Sequence, residues 1–307
     1  MQTETEILVI GGGIAGLSAA LAGARLGRKT HIVTGVTLGG HLLSIEKVEA
    51  YPGFPEGIPG YDLCPIVQEQ AADAGAEFAI SDVTRIDRRD AIWQVDTSSG
   101  AYLADTLILA TGTTLKTLGV PGEERLRGHG VSQCASCDAP LLAGKPTIVV
   151  GGGDSAAQEA LALAEQVSSV VVLARSAALT AQQAFIERID RSSRIRVQGA
   201  AVIEEILGAS AVTGVRARDL DSNEQFEVEG DGVFVYIGLE PVSGLASDYV
   251  ERNATGHIVT DERLLANADG IFAAGTVRAN AAGRAAAAAG EGTAAALSAD
   301  RFLKDRR

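Results

Sequence analysis

Two glycine-rich segments, ILVIGGGIAGLSAA (7–20) and TIVVGGGDSAAQEA (147–160), stand 140 residues apart and constrain this chain more than any other feature. Gly11, Gly13 and Gly16 of the first correspond to Gly151, Gly153 and Ala156 of the second, with Ile14 and Ala15 facing Asp154 and Ser155. Downstream the match continues, Ala20-Leu21-Ala22 with Ala160-Leu161-Ala162 and Ile32-Val33 with Val172-Leu173. Each copy reads as a short β-branched strand, a tight turn, a helix and a second strand. The first glycine makes the turn, and the second lets backbone approach a pyrophosphate. The third small residue lets the helix pack on the strand with its N-terminal amides facing the phosphates. One such segment alone also fits an ordinary tight turn. Two in the same strand–helix context point to two nucleotide-binding domains.

Between the copies lies Cys134-Ala135-Ser136-Cys137-Asp138. Three cysteines in 307 residues, two of them in a C-x-x-C, fit a working thiol pair in a reducing, cytoplasmic compartment better than a disulfide scaffold. Two cysteines so spaced close a small ring when oxidised, and the segment after them has amides to offer a thiolate. A structural zinc site needs about four ligands, and Cys64, His31, His41, His129 and His257 have no ligand spacing, so no metal is expected. A pair of inert core cysteines is the other plain alternative, and Cys64 itself reads as a packed apolar residue beside Pro65. Two nucleotide sites flanking a dithiol describe an electron path from a nicotinamide through a flavin to a disulfide.

Composition narrows the partners. A formal charge of −13 disfavours nucleic acid and anionic membrane surfaces. The alanine-rich stretch 279–299 carries Arg284 and Glu291 and is too weakly apolar to span a bilayer. The strand expected at the N-terminus leaves no room for a secretory leader.

Strands expected at 102–110 and 270–274 run into Thr111-Gly112-Thr113 and Gly275-Thr276, small residues suited to a sheet edge that meets a ligand. The alanine-rich helix after Thr276 is expected to aim its N-terminus at the same place. With crossings near 115–120 and 239–244, the expected fold is α/β. Two Rossmann-like three-layer nucleotide-binding domains form it, one of 1–116 with 243–307 and the other, 117–242, inserted within the first.

The segments GGGIAG, TGVTLGGHL, VEAYPG, LILATGT, GVPGEE, GVSQCASCDAP, GGGDSAAQEA, VYIGLEP and GIFAAGT span essentially the whole chain in order. In them the sequence resembles the low-molecular-weight thioredoxin reductase family, including the related reductase of alkyl hydroperoxide systems. The resemblance implies a homodimer with tightly held FAD and a large rotation of the nicotinamide domain. It implies NADPH as donor, with NADH as the alternative, and a thioredoxin-like or peroxidase-linked protein disulfide, or a small disulfide or dithiol, as partner. Cys137 would contact the flavin in a charge-transfer pair, Cys134 would attack the substrate, and Asp138 would serve as general acid–base. For FAD it implies Gly11, Gly13, Ile14, Ala15, Gly16, Thr34, Gly35, Gly40, His41, Leu42, Val83, Ala110, Thr111, Gly112, Gly275, Thr276, Arg284 and Ala285. For the nicotinamide nucleotide it implies Gly151, Gly153, Asp154, Ser155, Ala156, Arg175 and Ser176.

Four departures stand out. Thr276 replaces the family's FAD-binding Asp, and the downstream Arg-Gln-Ala is Gly283-Arg284-Ala285. His41 replaces a Gln beside the expected flavin. The H-R-R-x-x-x-R signature reads from Ala174-Arg175-Ser176 to Thr180. After Asp138 come Ala139-Pro140-Leu141-Leu142 in place of Gly and aromatics, and His129 replaces an Arg. No acid at Ala174 repels a 2′-phosphate, and Arg175 with Ser176 offers it a smaller site than three arginines. The degraded signature keeps three rivals open: an oxygen-using flavin dithiol oxidase, a ferredoxin-linked disulfide reductase and a non-catalytic redox or nucleotide sensor.

Overall fold

The computed structural model describes residues 2–306 and forms two compact units, Met1–Thr114 with Glu240–Arg307, and Leu115–Leu239. Residues 1 and 307, the outer limits of the first expected domain, lie outside the described residues.

In the first unit the chain runs through β1 (Gln2–Ile10), α1 (Ile14–Arg25), β2 (Thr30–Val33), α2 (Gly60–Asp73), β3 (Glu77–Ala79), β4 (Val83–Arg89), β5 (Ile92–Thr97) and β6 (Gly100–Leu109). The sheet order is β3-β2-β1-β6-β5-β4, with β1 parallel to β2 and β6, and β5 antiparallel to β6. Alternation along β1 divides the core. Ile7 and Val9 pack under the helices with Leu17, Ala20 and Ala296, whereas Leu8 and Ile10 face Ile86, Trp93 and Val277 on the other side.

The chain leaves this unit in β7 (Thr113–Leu115) and builds β8 (Val131–Ser132), α3 (Ala135–Asp138), β9 (Pro146–Val150), α4 (Asp154–Leu163), β10 (Ser169–Leu173), α5 (Gln183–Asp190), β11 (Ile195–Gln198), β12 (Ala201–Leu207), β13 (Gly214–Asp219), β14 (Gln225–Glu229) and β15 (Gly232–Val235). A parallel sheet in the order β11-β10-β9-β15-β8 forms the middle layer. Val149, Val172 and Phe234 pack toward Ala156, Ala160 and Leu163 of α4 on one face. Ile148, Val150 and Val233 meet Ile203, Val215 and Val228 of the antiparallel β12-β13-β14 sheet on the other. The unit is therefore three-layered.

The chain returns through β16 (Leu239–Pro241) and adds β17 (Ile271–Ala273) and α6 (Ala285–Asp305) to the first unit. β17 pairs parallel with the second half of β6, at Leu107–Leu109, while β5 takes the first half. The α/β Rossmann-like architecture agrees with the sequence reading. One detail differs: the alanine-rich helix starts at Ala285, not directly after Thr276. Arg278 bends the intervening loop back, pairing with Glu291, and Gly283 takes a left-handed φ of 66° that no helix accommodates. α6 packs on α1 so closely that a Cβ on Gly292 would lie 1.9 Å from the Ala15 carbonyl oxygen.

Candidate functional site

The two glycine turns have the same geometry in their separate units. Gly11 donates its amide to Val33 and Gly151 to Leu173, at 2.8 and 2.9 Å. Both glycines have positive φ, 115° and 141°. A Cβ on Gly11 would lie 2.3 Å from the Ala110 carbonyl oxygen, and one on Gly151 would lie 2.2 Å from that of Tyr236. Gly16 and Ala156 close each turn from the helix side: a Cβ on Gly16 would strike the Gly11 carbonyl oxygen at 1.9 Å, while Ala156 is itself within 3.1 Å of the Gly151 position. Around the middle glycines, Gly13 and Gly153, nothing stands within 4 Å of an added Cβ. That open space lies at the N-termini of α1 and α4, where a pyrophosphate would sit against backbone amides. Both cradles fit a dinucleotide.

In the first unit the expected flavin residues cluster at the carboxyl ends of the strands. Thr34 follows β2, but its hydroxyl donates to the Gly35 and Ala79 carbonyls, so it presents backbone rather than side chain. Gly40, His41 and Leu42 form a single 3-10 turn, Gly40–Ser44, joined by the Ser44 hydroxyl to the His41 carbonyl. A Cβ on Gly60 would lie 1.8 Å from the Leu42 carbonyl oxygen, which fixes this turn against α2. Val83 opens β4, half-buried against the second face of the sheet. Thr111 is stapled to Val242 through its hydroxyl, and Gly112 accepts the Val242 amide. Thr276 lies beside Gly112 and shares a hydroxyl–hydroxyl bond of 3.2 Å with Thr113, so a neutral pair occupies the place of the family carboxylate. Arg284 precedes α6 in extended conformation and Ala285 begins the helix.

The second unit holds the dithiol. Cys134 and Cys137 are joined as a disulfide with their Cα atoms 5.3 Å apart. Cys134 precedes the single-turn helix α3, and a 3-10 turn, Ala139–Leu142, takes over at Ala139. Ser132 receives the Cys134 amide on its hydroxyl, and Asp138 returns its amide to the Cys134 carbonyl. The Ser136 hydroxyl lies 3.4 Å from the Cys134 sulfur. Leu141, three residues past Asp138, is 76% exposed. Cys64 is of another kind: fully buried on α2 in the first unit, its thiol points at the Gly39 carbonyl and burial pushes its pKa up to about 11. Among the described residues no group of three or more His, Cys, Asp and Glu side chains is placed to hold a metal.

At the second cradle, Asp154 accepts both the backbone and the side-chain amide of Gln182, and Ser155 is exposed at the start of α4. The loop after β10 folds back on the glycine turn, the Thr180 amide and hydroxyl both donating to the Gly152 carbonyl. Ser176 spends its hydroxyl on the Ala178 carbonyl, which leaves the exposed Arg175 as the cationic group of that loop.

Three buried acid contacts escape the sequence reading. Glu291 accepts the Gly275 amide from within α6. Glu123 is buried and accepts the amides of Leu118 and Gly119. Glu159 and Tyr236 pair beneath the redox turn. Only Glu291 carries a signal, an acid within an alanine run.

A family model described as pyridine nucleotide-disulphide oxidoreductase matches residues 5–292. The thioredoxin reductase of Treponema pallidum is 37% identical over 303 residues, covering 99% of this chain and 98% of that protein. Among solved structures, Lactococcus lactis thioredoxin reductase superposes with a TM-score of 0.95 at 33% identity, covering 98% of this chain and 99% of that one. The T. acidophilum thioredoxin reductase gives 0.94 at 32%, with 99% of each chain covered.

Proposed function

The chain belongs to the pyridine nucleotide-disulphide oxidoreductase family, among relatives that are thioredoxin reductases, and from that premise we infer how its residues share the work. It is an enzyme, a flavoprotein disulfide reductase that uses FAD and NADPH. The observation that carries the detailed reading is the disulfide of Cys134 and Cys137, placed on a short turn in the unit that also holds the second dinucleotide cradle.

The unit of 1–116 and 243–307 binds FAD through Gly11, Gly13, Gly16 and the Thr111-Gly112 and Gly275-Thr276 turns. The inserted 117–242 binds the nicotinamide nucleotide, Arg175 meeting the 2′-phosphate. FAD held there would supply the two-electron redox chemistry that links a nicotinamide hydride donor to the disulfide. The chain's own residues then act on the substrate. The Cys134 thiolate attacks one substrate sulfur, forming a mixed disulfide and releasing the other sulfur as a thiolate. Cys137 attacks Cys134, which restores the Cys134–Cys137 disulfide and releases the second substrate sulfur. Asp138 carries the protons those sulfurs need.

The substrate class is a thioredoxin-like protein disulfide; names of relatives support it. Leu141, 76% exposed, offers aliphatic contact where the family resemblance implied aromatic rings, while Leu142 is buried in the core. The enzyme acts as a homodimer in the cytoplasm, a reading supported by the family resemblance. Among the described residues no helix is long and apolar enough to cross a membrane.

Anaerobic mixing of the FAD-loaded protein with NADPH tests this reading. Bleaching of the flavin followed by reduction of one thioredoxin disulfide per NADPH is expected. Bleaching that is reversed by oxygen alone, with no disulfide reduced, contradicts it.

A further inference from the structure

A hydroxyl group stands at the sulfur that the reaction uses first. Ser136 Oγ lies 3.4 Å from Cys134 Sγ, within hydrogen-bond reach of a sulfur acceptor. A disulfide sulfur carries no hydrogen, so the proton between the two atoms is the serine's and Ser136 is the donor. The contact is built into the turn. The Cys134 amide rests on the Ser132 hydroxyl at 3.0 Å, and the Asp138 amide closes on the Cys134 carbonyl at 3.2 Å. Ala135 and Ala139, on either side, are each 1% exposed and anchor the turn in the core of the unit. Ser136 is half-buried inside this closed turn, two residues from Cys134. The backbone therefore holds the hydroxyl beside the sulfur when the disulfide opens as well as when it is closed.

Reduction changes what the hydroxyl faces. A disulfide sulfur is a weak, neutral acceptor, whereas a thiolate is a charged one, and charge-assisted hydrogen bonds are roughly twice as strong. A hydroxyl proton rotates to suit its acceptors, so the contact strengthens as the thiolate forms. An ordinary thiol is only a few per cent thiolate at neutral pH. One donor to the anion raises that fraction about tenfold. Nucleophilicity falls with basicity, at a slope of about 0.4–0.5, so each anion becomes about threefold less reactive. The gain in population wins, by about threefold at neutral pH and below. At alkaline pH the thiol is ionised with or without the donor, and the gain is gone. Backbone amides of the same turn stay in place when only this hydroxyl is removed, so its share can be measured alone.

We infer that Ser136 is a catalytic residue: its hydroxyl donates to the Cys134 thiolate and so keeps the attacking sulfur ionised at neutral pH. The hydrogen bond is held until the sulfur lone pair forms its bond to the substrate sulfur. The substrate S–S bond then breaks, and the other substrate sulfur leaves as a thiolate. The inference rests on the disulfide-reductase reading above, since it concerns the nucleophile of that same reaction.

The test uses the FAD-loaded full chain carrying Cys137→Ser, in which a mixed disulfide at Cys134 cannot be resolved. Ser136 is left intact, changed to alanine (Ser136→Ala) or changed to threonine (Ser136→Thr). Each protein is mixed with a small aromatic disulfide, release of the aromatic thiolate is followed across pH, and the modified cysteine is identified by mass. Ser136→Ala is expected to react at Cys134 about threefold more slowly at about pH 6.5 and no more slowly at about pH 9.5. Ser136→Thr keeps a hydroxyl and is expected to follow the protein with Ser136 intact. Equal rates with and without the hydroxyl at both pH values overturn this inference alone. Slowing of the same size at both also overturns it, because a change in access does not depend on ionisation. A Cys134–Cys137 disulfide that dithiothreitol cannot open in the unmodified protein overturns the disulfide-reductase reading, and this inference with it.

Discussion

Glu291 accepts the backbone amide of Gly275 at 2.8 Å, reaching out of α6 to the turn that carries Thr276. The same carboxylate binds Arg278 through two nitrogens, at 2.6 and 3.2 Å, and both side chains are 16% exposed. An acid in an alanine-rich helix thus sets the position of the loop that approaches the first cradle. Glu291→Ala leaves a largely buried amide and guanidinium without their acceptor. A loss of about 1.5–3 kcal/mol is expected, the range for hydrogen bonds to charged groups. Urea unfolding of the first unit, with FAD retention on gel filtration, measures it; an unchanged midpoint contradicts it.

Thr276 and Thr113 share a neutral hydroxyl bond where relatives are expected to carry an acid. In Thr276→Asp the Thr113 hydroxyl donates to the new carboxylate, whose second oxygen becomes available to a ligand hydroxyl. FAD is expected to bind about tenfold more tightly, equivalent to about 1.4 kcal/mol and near the lower edge of a charge-assisted bond. Flavin release by equilibrium dialysis checks this, and weaker binding in the variant contradicts it.

Both cradles are legible in the amino-acid repeat, because turn, close approach and tight helix packing each demand a small residue at a fixed place. Gly11 and Gly151 meet those demands through the same contacts, with Ala110 and Tyr236. What the sequence hides depends on long-range contact. Nothing local to Glu159 indicates that Tyr236, 77 residues later, will bury it. The start of α6 is hidden for the same reason: alanine content signals helix from residue 279 onward, while Gly283 and the Arg278–Glu291 pair hold the chain out of it. The hydroxyl of Ser176, a phosphate donor by sequence, is committed to its own loop.

Arg175 is exposed, and Ala174 before it is buried and uncharged. Arg175→Ala should raise KM for NADPH by about tenfold, the lower edge of a charge-assisted bond weakened by screening, with little change for NADH. Steady-state kinetics with both donors measures the ratio. A clear preference of the unmodified enzyme for NADH contradicts the assignment.

Cys64 gives stability a dependence on alkaline pH. Burial raises its pKa from an ordinary 9.0 to about 11, so above pH 9 the unfolded chain releases a proton that the folded one keeps. Its contribution is fully present below pH 9 and is lost as pH rises toward 11, a total of about 2–3 kcal/mol. Urea unfolding across this window should show the loss in the unmodified protein and a flatter profile in Cys64→Ala. Parallel profiles contradict the prediction.

The central claim is that Cys134 and Cys137 carry electrons from flavin to substrate. A small aromatic disulfide serves as acceptor, so the natural partner need not be known. Asp138→Asn should slow its reduction within the roughly 10²–10⁴-fold span of general acid–base residues. The most direct measurement is NADPH-driven turnover of that disulfide by Cys134→Ser and Cys137→Ser, with flavin reduction followed in the same samples. The account predicts that NADPH still reduces the flavin in both variants while disulfide turnover stops. Both variants turning over at the unmodified rate would contradict it and make the C-x-x-C a structural feature.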